Sequence, residues 1–191
     1  MIDWETILRH DGPAVWRTAW RVLGSRNDAD ECFQETFVAA LEYAKRPGHV
    51  VHNWRALLQR IATGRAIDRL RRRVSQRTRE APLPDDHPSS SPHAHEQLES
   101  AELSAALRRA LAHLPQGQAE VFCLFHIEGW SYREIAESLS VSTDLVGVWL
   151  QRAKHRLREL LAHVDPAAAT TAMTATTAAP EATKLEEVSR G

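Results

Sequence analysis

Cysteine is nearly absent: Cys32 and Cys123 are the only two in 191 residues, each in its own amphipathic stretch, with no CxxC and no Cys/His cluster. A disulfide scaffold and a zinc site are therefore not indicated, and both thiols read as buried small hydrophobes in a reducing cytoplasm. Long apolar runs are missing too. Nothing approaches the roughly 18 residues of a membrane helix. The opening MIDWETILRH lacks a basic stretch followed by an apolar one, so neither a leader nor membrane insertion is expected. The signatures GxxxxGK followed by Ser or Thr, GxGxxG and GxSxG are also missing, which removes the commonest phosphate-cradling and nucleophile-elbow chemistries. Ten histidines are scattered, and the close pair His93-x-His95 has no third ligand nearby. No metal, cofactor or catalytic constellation is indicated, and the chain reads as a non-enzyme.

What is present is strongly segregated charge. The whole chain has a net charge of −1. Residues 51–79, however, carry nine arginines, no lysine and one acid, Asp68, for a local net of +8, whereas residues 80–135 carry three arginines and nine acids, for −6. A basic block of this density is the footprint of polyanion binding. Arginine without lysine favours planar, bidentate phosphate contacts; a solvated helix face is the plain alternative.

Apolar residues recur at three- and four-residue spacing and no strand alternation is seen, so the fold class is all-α. A first helical region spans about 3–23, with a break expected at Asp11-Gly12-Pro13 and a stop at Gly24. Asn27-Asp28 is expected to cap a helix over 28–45, with Cys32, Phe33, Thr36, Phe37, Ala40 and Leu41 as its apolar stripe. Asn53 can cap a helix over 54–74 that begins with core-forming Trp54, Leu57, Leu58 and Ile61 and ends in arginines. Residues 75–95, with four prolines among Ser, Asp and His, read as a flexible linker between two small domains, 1–74 and 96–164. The Ala/Thr-rich residues 165–191 read as a disordered tail without assigned function.

The clearest local signal runs from Ser131 to Ala162 and reads as a helix-turn-helix. Ser131-x-x-Glu134 is a capping box, and Ser142 caps the next helix after the turn Ser140-Val141. On that helix Leu150, Ala153, Leu157, Leu160 and Leu161 fall within about 60° of Val146, one buried stripe. The opposite face holds Asp144, Val148, Gln151, Arg152 and His155, as a recognition helix in the major groove would require. Gln151 can pair with adenine and Val148 can touch a thymine methyl, while Arg152, Lys154, Arg156 and Arg158 can hold phosphates. Trp149, on the flank of the stripe, reads as packing. An ordinary helical hairpin is the plain alternative for the segment.

Three blocks in order resemble the extracytoplasmic-function (ECF, group IV) sigma factors of bacterial RNA polymerase, in the sigma-70 superfamily, over residues 1–164. The block Asp28-Ala-Asp-Glu-Cys-Phe-Gln-Glu-Thr-Phe37 resembles region 2.2. It implies docking on the β′ clamp helices of core polymerase through Glu31, Gln34, Glu35 and Phe37. Trp54-x₆-Ile-Ala-Thr-Gly-Arg-Ala-Ile-Asp-Arg-Leu-Arg-Arg-Arg73 is similar to region 2.4. This implies reading and melting of the −10 element by Asn53, Trp54, Arg60, Thr63, Arg65, Arg69, Arg71, Arg72 and Arg73. Leu114-Pro115 through Leu161, with Glu128-Gly-Trp-Ser-Tyr-Arg-Glu-Ile-Ala136, matches region 4. It implies −35 recognition by Ser142, Thr143, Asp144, Gly147, Val148, Gln151, Arg152, Lys154 and His155.

The partners implied by the resemblance are core RNA polymerase, at the β′ clamp helices and the β flap, and promoter DNA, with the chain acting as a monomer. An anti-sigma factor is implied by family analogy alone. Gly64 stands where many relatives have Asn, and Gly147-Val148-Trp149 replaces the more usual Lys-Ser-Arg, so base specificity does not carry over. The competing reading is a stand-alone helix-turn-helix regulator, which needs only residues 114–164 and leaves Gln34, Glu35 and the arginine helix without a purpose.

Overall fold

The computed structural model of the chain describes residues 2–48, 50–79 and 92–162, with side chains described for all of these except 77–79 and 92–100. The described residues form seven helices and no strand: α1 Trp4–Leu23, α2 Arg26–Ala44, α3 Trp54–Arg79, α4 Pro92–Ala112, α5 Gln116–His126, α6 Tyr132–Leu139 and α7 Thr143–Leu161. The tail from 165 and most of the segment expected as a linker lie outside the described residues.

Helix α1 starts at Asp3, whose carboxylate accepts from the Thr6 N–H at 3.1 Å, and stops at Gly24, which takes the left-handed conformation with φ 65°. The expected break at Asp11-Gly12-Pro13 does not occur, and Pro13 lies inside a continuous helix. Packing outweighs the single backbone bond that proline removes. The inner face of α1, from Ile7 through Val15 to Val22, is buried, and the Phe33 ring lies 3.6 Å from where a side chain on Gly12 would begin. The cap of α2 is Ser25 rather than Asn27-Asp28; its hydroxyl accepts from the Asp28 N–H at 3.5 Å. Asp28 instead stands in the first turn, where the helix dipole favours a carboxylate.

Asn53 does cap α3, accepting from the Ala56 N–H at 3.0 Å. The helix runs on to Arg79, beyond the expected end at 74, and α4 opens at Pro92, ahead of the expected 96. Proline suits a first helical turn, so one of the four prolines read as linker punctuation is a helix start.

Two apolar clusters hold the helices together. The smaller joins Ile7, Val15, Ala40, Leu58 and Ala62, with Trp4, Phe33, Phe37, Trp54 and Ile61 packed around it. The larger is continuous from α1–α3, through Val22, Cys32, Ile67 and Leu70, into α4–α7, through Leu111, Leu124, Ile135, Val146, Leu150 and Leu157. Each such Leu, Ile or Val contributes about 1.5–3 kcal/mol by leaving water. Helix α3 is the shared wall. It packs on α1 and α2 with one side and on α4 and α5 with the other.

Candidate nucleic-acid interface

The helix-turn-helix forms from its caps. Ser131 Oγ accepts from the Glu134 N–H at 3.3 Å, while the Glu134 carboxylate accepts from the Ser131 N–H at 2.8 Å and from its hydroxyl at 2.7 Å. These bonds hold the Glu134 carboxyl below its ordinary range. Ser140 closes α6 in the left-handed conformation, φ 56°, and Ser142 opens α7 by accepting from the Leu145 N–H at 3.2 Å. Val146, Leu150, Ala153, Leu157 and Leu161 are then buried. Thr143, Asp144, Gln151, Arg152 and His155 face solvent, with Val148 44 % exposed among them. Ser142 is exposed as well, and Gly147 is half-buried beside Tyr132. Lys154 is half-buried, its ammonium 5.9 Å from the centre of the Phe125 ring. His155 Nδ1 lies 3.6 Å from Glu159, and Arg156 lies 3.0 Å from the same carboxylate. Trp149 packs inward, so closely that a Cβ on Gly117 would lie 2.6 Å from its ring.

The arginines of α3 part company. Arg69 is mostly buried and turned onto α2, pairing with Glu35 at 2.7 Å, Asp28 at 3.6 Å and Glu31. Arg73 also pairs with Asp28. Arg71 turns the other way. Its guanidinium donates to the Leu114 carbonyl at 2.7 Å, the Ala112 carbonyl at 3.4 Å and the Gln116 side chain, bonding the carbonyls that α4 leaves open at its end. Thr63 is fully buried and donates to the Gln59 carbonyl at 2.9 Å, so it is not presented to a ligand. Arg72 is exposed, and Arg60 and Arg65 are half-exposed. A run of arginines signals charge but not direction. The helical angle sends Arg69 to acids on α2 and Arg71 to carbonyls on the next layer.

Helix α2 shows a surface that the sequence pattern misassigned in part. Leu41, expected to face inward, is 39 % exposed, and Val38 is 55 % exposed. With exposed Glu31 and Gln34 they form one stripe, because positions 31, 34, 38 and 41 recur at three- and four-residue spacing. Phe37 is half-buried on the flank of that stripe, packing on Phe33 with ring centroids 4.9 Å apart. Trp54 likewise packs edge-on against Trp4 at 5.0 Å.

Between α3 and the α5–α6 segment lies a polar contact that nothing in the local sequence announces. The Gln59 amide donates to Glu128 Oε2 at 2.7 Å, Arg21 donates to the Ile127 carbonyl at 3.2 Å, and the Arg21 guanidinium stands 3.8 Å from Glu128 Oε1. Glu120 faces Gly64 across the same boundary; burial pushes its carboxyl up, against the pull of Gln116, Arg60 and Arg71. Among the described residues no group of three or more His, Cys, Asp and Glu could hold a metal ion, and no helix is long and apolar enough to cross a membrane.

This arrangement, a helical bundle with a basic third helix packed against a helix-turn-helix, defines a two-part all-helical protein, and both parts match known families. Residues 7–76 match the Sigma-70 region 2 family and residues 104–157 match the Sigma-70, region 4 family. The ECF RNA polymerase sigma factor SigL of Mycobacterium tuberculosis is 32 % identical over 149 residues, covering 75 % of this chain and 80 % of that relative. The ECF RNA polymerase sigma factor SigE of Mycolicibacterium smegmatis is 33 % identical over 167 residues, 85 % of this chain; the chain spans 63 % of that relative's length. A solved structure of the sigma factor RpoE in complex with the anti-sigma factor NepR, from Bartonella quintana, aligns at 21 % identity with a TM-score of 0.47, over 83 % of this chain and 96 % of that one. The chain belongs to the ECF sigma factors of the sigma-70 family.

Proposed function

We propose that the chain is a group IV sigma factor of the cytoplasm that binds core RNA polymerase as a monomer and directs initiation at promoters carrying its own −10 and −35 elements. The single observation that carries this is the exposed outer face of α7, capped by Ser142, on the same chain as a region 2 match and in the family's order. Val148 and Gln151, near the start of α7, are proposed to read base edges of the −35 element, with Arg152 and Lys154 on phosphates. Arg60, Arg65 and Arg72 are proposed to meet the −10 strand, with Asn53 and the Trp54 edge at the start of α3. Opening would come from capture of unstacked bases, without nucleotide hydrolysis by this chain. The α2 stripe of Glu31, Gln34, Val38 and Leu41 is proposed to dock on the β′ clamp helices, and the second half of the chain on the β flap. An anti-sigma factor as a further partner rests on the family alone.

Run-off transcription on genomic fragments with purified cognate core polymerase, followed by mapping of transcript 5′ ends, tests the reading. Discrete new starts that share two upstream motifs are expected. Specific duplex binding with no new starts would support a stand-alone regulator instead.

A further inference from the structure

One cleft, of about 380 Å³, opens between the α1–α2 turn and the second halves of α3 and α4, and it shares no residue with the contacts proposed above. Among the described residues it is lined by three arginines, Arg73, Arg108 and Arg109, and by no acid. Leu23, Leu70 and Val74 supply its apolar wall. Arg73 meets Asp28 of α2, an acid that Arg69 also uses. Arg108 has no such relief. Its guanidinium lies so close over Gly24 that a Cβ there would stand 2.6 Å from Nε, and Nε is buried with no hydrogen-bond partner. A long cation that merely covers apolar surface keeps its polar atoms in water, whereas Arg108 has withdrawn one of them. Burial and the charge of Arg73 both hold its pKa below the ordinary arginine value. Such a guanidinium, facing two more of the same sign, costs stability unless an anion stands between them.

We propose that this cleft binds a small phosphorylated molecule, with the phosphate between Arg73, Arg108 and Arg109 and the rest of the molecule against Leu23, Leu70 and Val74. Guanidinium forks take phosphate oxygens in pairs, and a tetrahedral dianion has oxygens for three forks where a carboxylate has only two oxygens to share. Ser25, the cap at the start of α2, also lines the cleft, so the positive end of that helix favours the same charge. The volume falls at the small end of the range for small-molecule sites, roughly 300–1,000 Å³, and apolar walls with a few converging charged groups are their usual make-up. Free phosphate and a phosphate ester share this chemistry, and the test separates them.

The test is isothermal titration calorimetry of the full chain, in phosphate-free buffer, with inorganic phosphate and with adenosine 5′-monophosphate, for wild type, Arg108→Met and Arg109→Gln. Wild type should bind one equivalent, and each substitution should weaken binding by about tenfold or more, the loss of one charged hydrogen-bonding group. Tighter binding of the nucleotide than of phosphate supports an ester as the ligand; equal affinities support free phosphate. Thermal melts add a second readout. Phosphate should raise the melting temperature of wild type and not that of Arg108→Met. An equal rise in both would be the general effect of an excluded salt and would overturn the proposal. Without ligand, Arg108→Met should melt no lower than wild type, since an unpaired cation is removed and the apolar stem is kept. A lower value would give the guanidinium a structural role and would likewise overturn it. Should Arg108→Met lose helix content by circular dichroism, the exposed Arg109 carries the test through Arg109→Gln. No heat of binding with either ligand refutes the site, as does weakened binding of Arg108→Met to a short mixed-sequence duplex alone, which would assign the arginines to DNA.

Discussion

Arg69, Arg71 and Arg72 lie within four positions of one helix and meet three environments: carboxylates of α2, carbonyls at the end of α4, and solvent. Their substitutions should separate accordingly. Arg72→Ala should lower the salt slope of promoter binding by about 0.7–0.9 and leave the melting temperature unchanged, since one phosphate contact is lost. Arg71→Ala should destabilise the chain by about 1.5–3 kcal/mol, the range for hydrogen bonds to a charged group, as measured by denaturant unfolding. Burial, aided by the nearby carboxylates Glu35 for Cys32 and Glu128 and Glu120 for Cys123, pushes Cys32 up to about 11 and Cys123 up to about 12. Both should be silent to a thiol reagent at pH 8 in the native chain and react only on unfolding. A fast native reaction would show that one of them is reachable.

At the scale of the element, caps and periodicity decide what can be read in advance. The helix-turn-helix was legible almost residue by residue, because Ser131, Glu134 and Ser142 signal helix starts locally and the buried stripe of α7 follows from a 3.6-residue period. Three features of α1–α4 were not. Pro13 in α1 is overridden by tertiary burial, the cap of α2 passes to Ser25 because serine competes with Asn27-Asp28 two residues on, and Pro92 opens a helix where it reads as a linker residue. Leu41 shows the limit of pattern reading: it lies on the edge of the apolar face expected for α2, and burial there depends on whether a neighbour covers that edge. Ser131→Ala should cost about 1 kcal/mol by removing the reciprocal cap of α6. The sign of its pH dependence follows from Glu134. The folded-state carboxyl is held below its ordinary value, so its contribution is present above the unfolded-state pKa and is lost as pH falls through the folded value. The stability gap between wild type and Ser131→Ala should therefore narrow on acidification, as thermal melts across that range would show; a constant gap would mean the carboxylate takes no part.

At the scale of the whole molecule, the sequence pattern separates two helical sets, whereas the structure joins them through one continuous apolar cluster and through Arg71, Gln59 and Arg21. Contacts between positions 69 and 106 residues apart in the chain leave no local trace, which is why the basic helix could be recognised and its partners could not. Two of the surfaces turned outward among the described residues bear the proposed contacts, the outer face of α7 and the α2 stripe. Val38→Glu with Leu41→Glu should weaken association with core polymerase by more than tenfold while keeping helix content and the α7 surface intact, since charge replaces apolar area at a packed contact. Pull-down against purified core polymerase with a circular-dichroism control checks this, and undiminished binding would move the docking site elsewhere.

Two halves of one chain, together with polymerase, are proposed to select and open a promoter. The most direct measurement is permanganate footprinting of unpaired thymines at a mapped promoter, with chain alone, core polymerase alone and both. Reactive thymines around the −10 element only when both are present are predicted. Binding of the chain alone to duplex DNA as a dimer, with no opening when polymerase is added, would rule out that role.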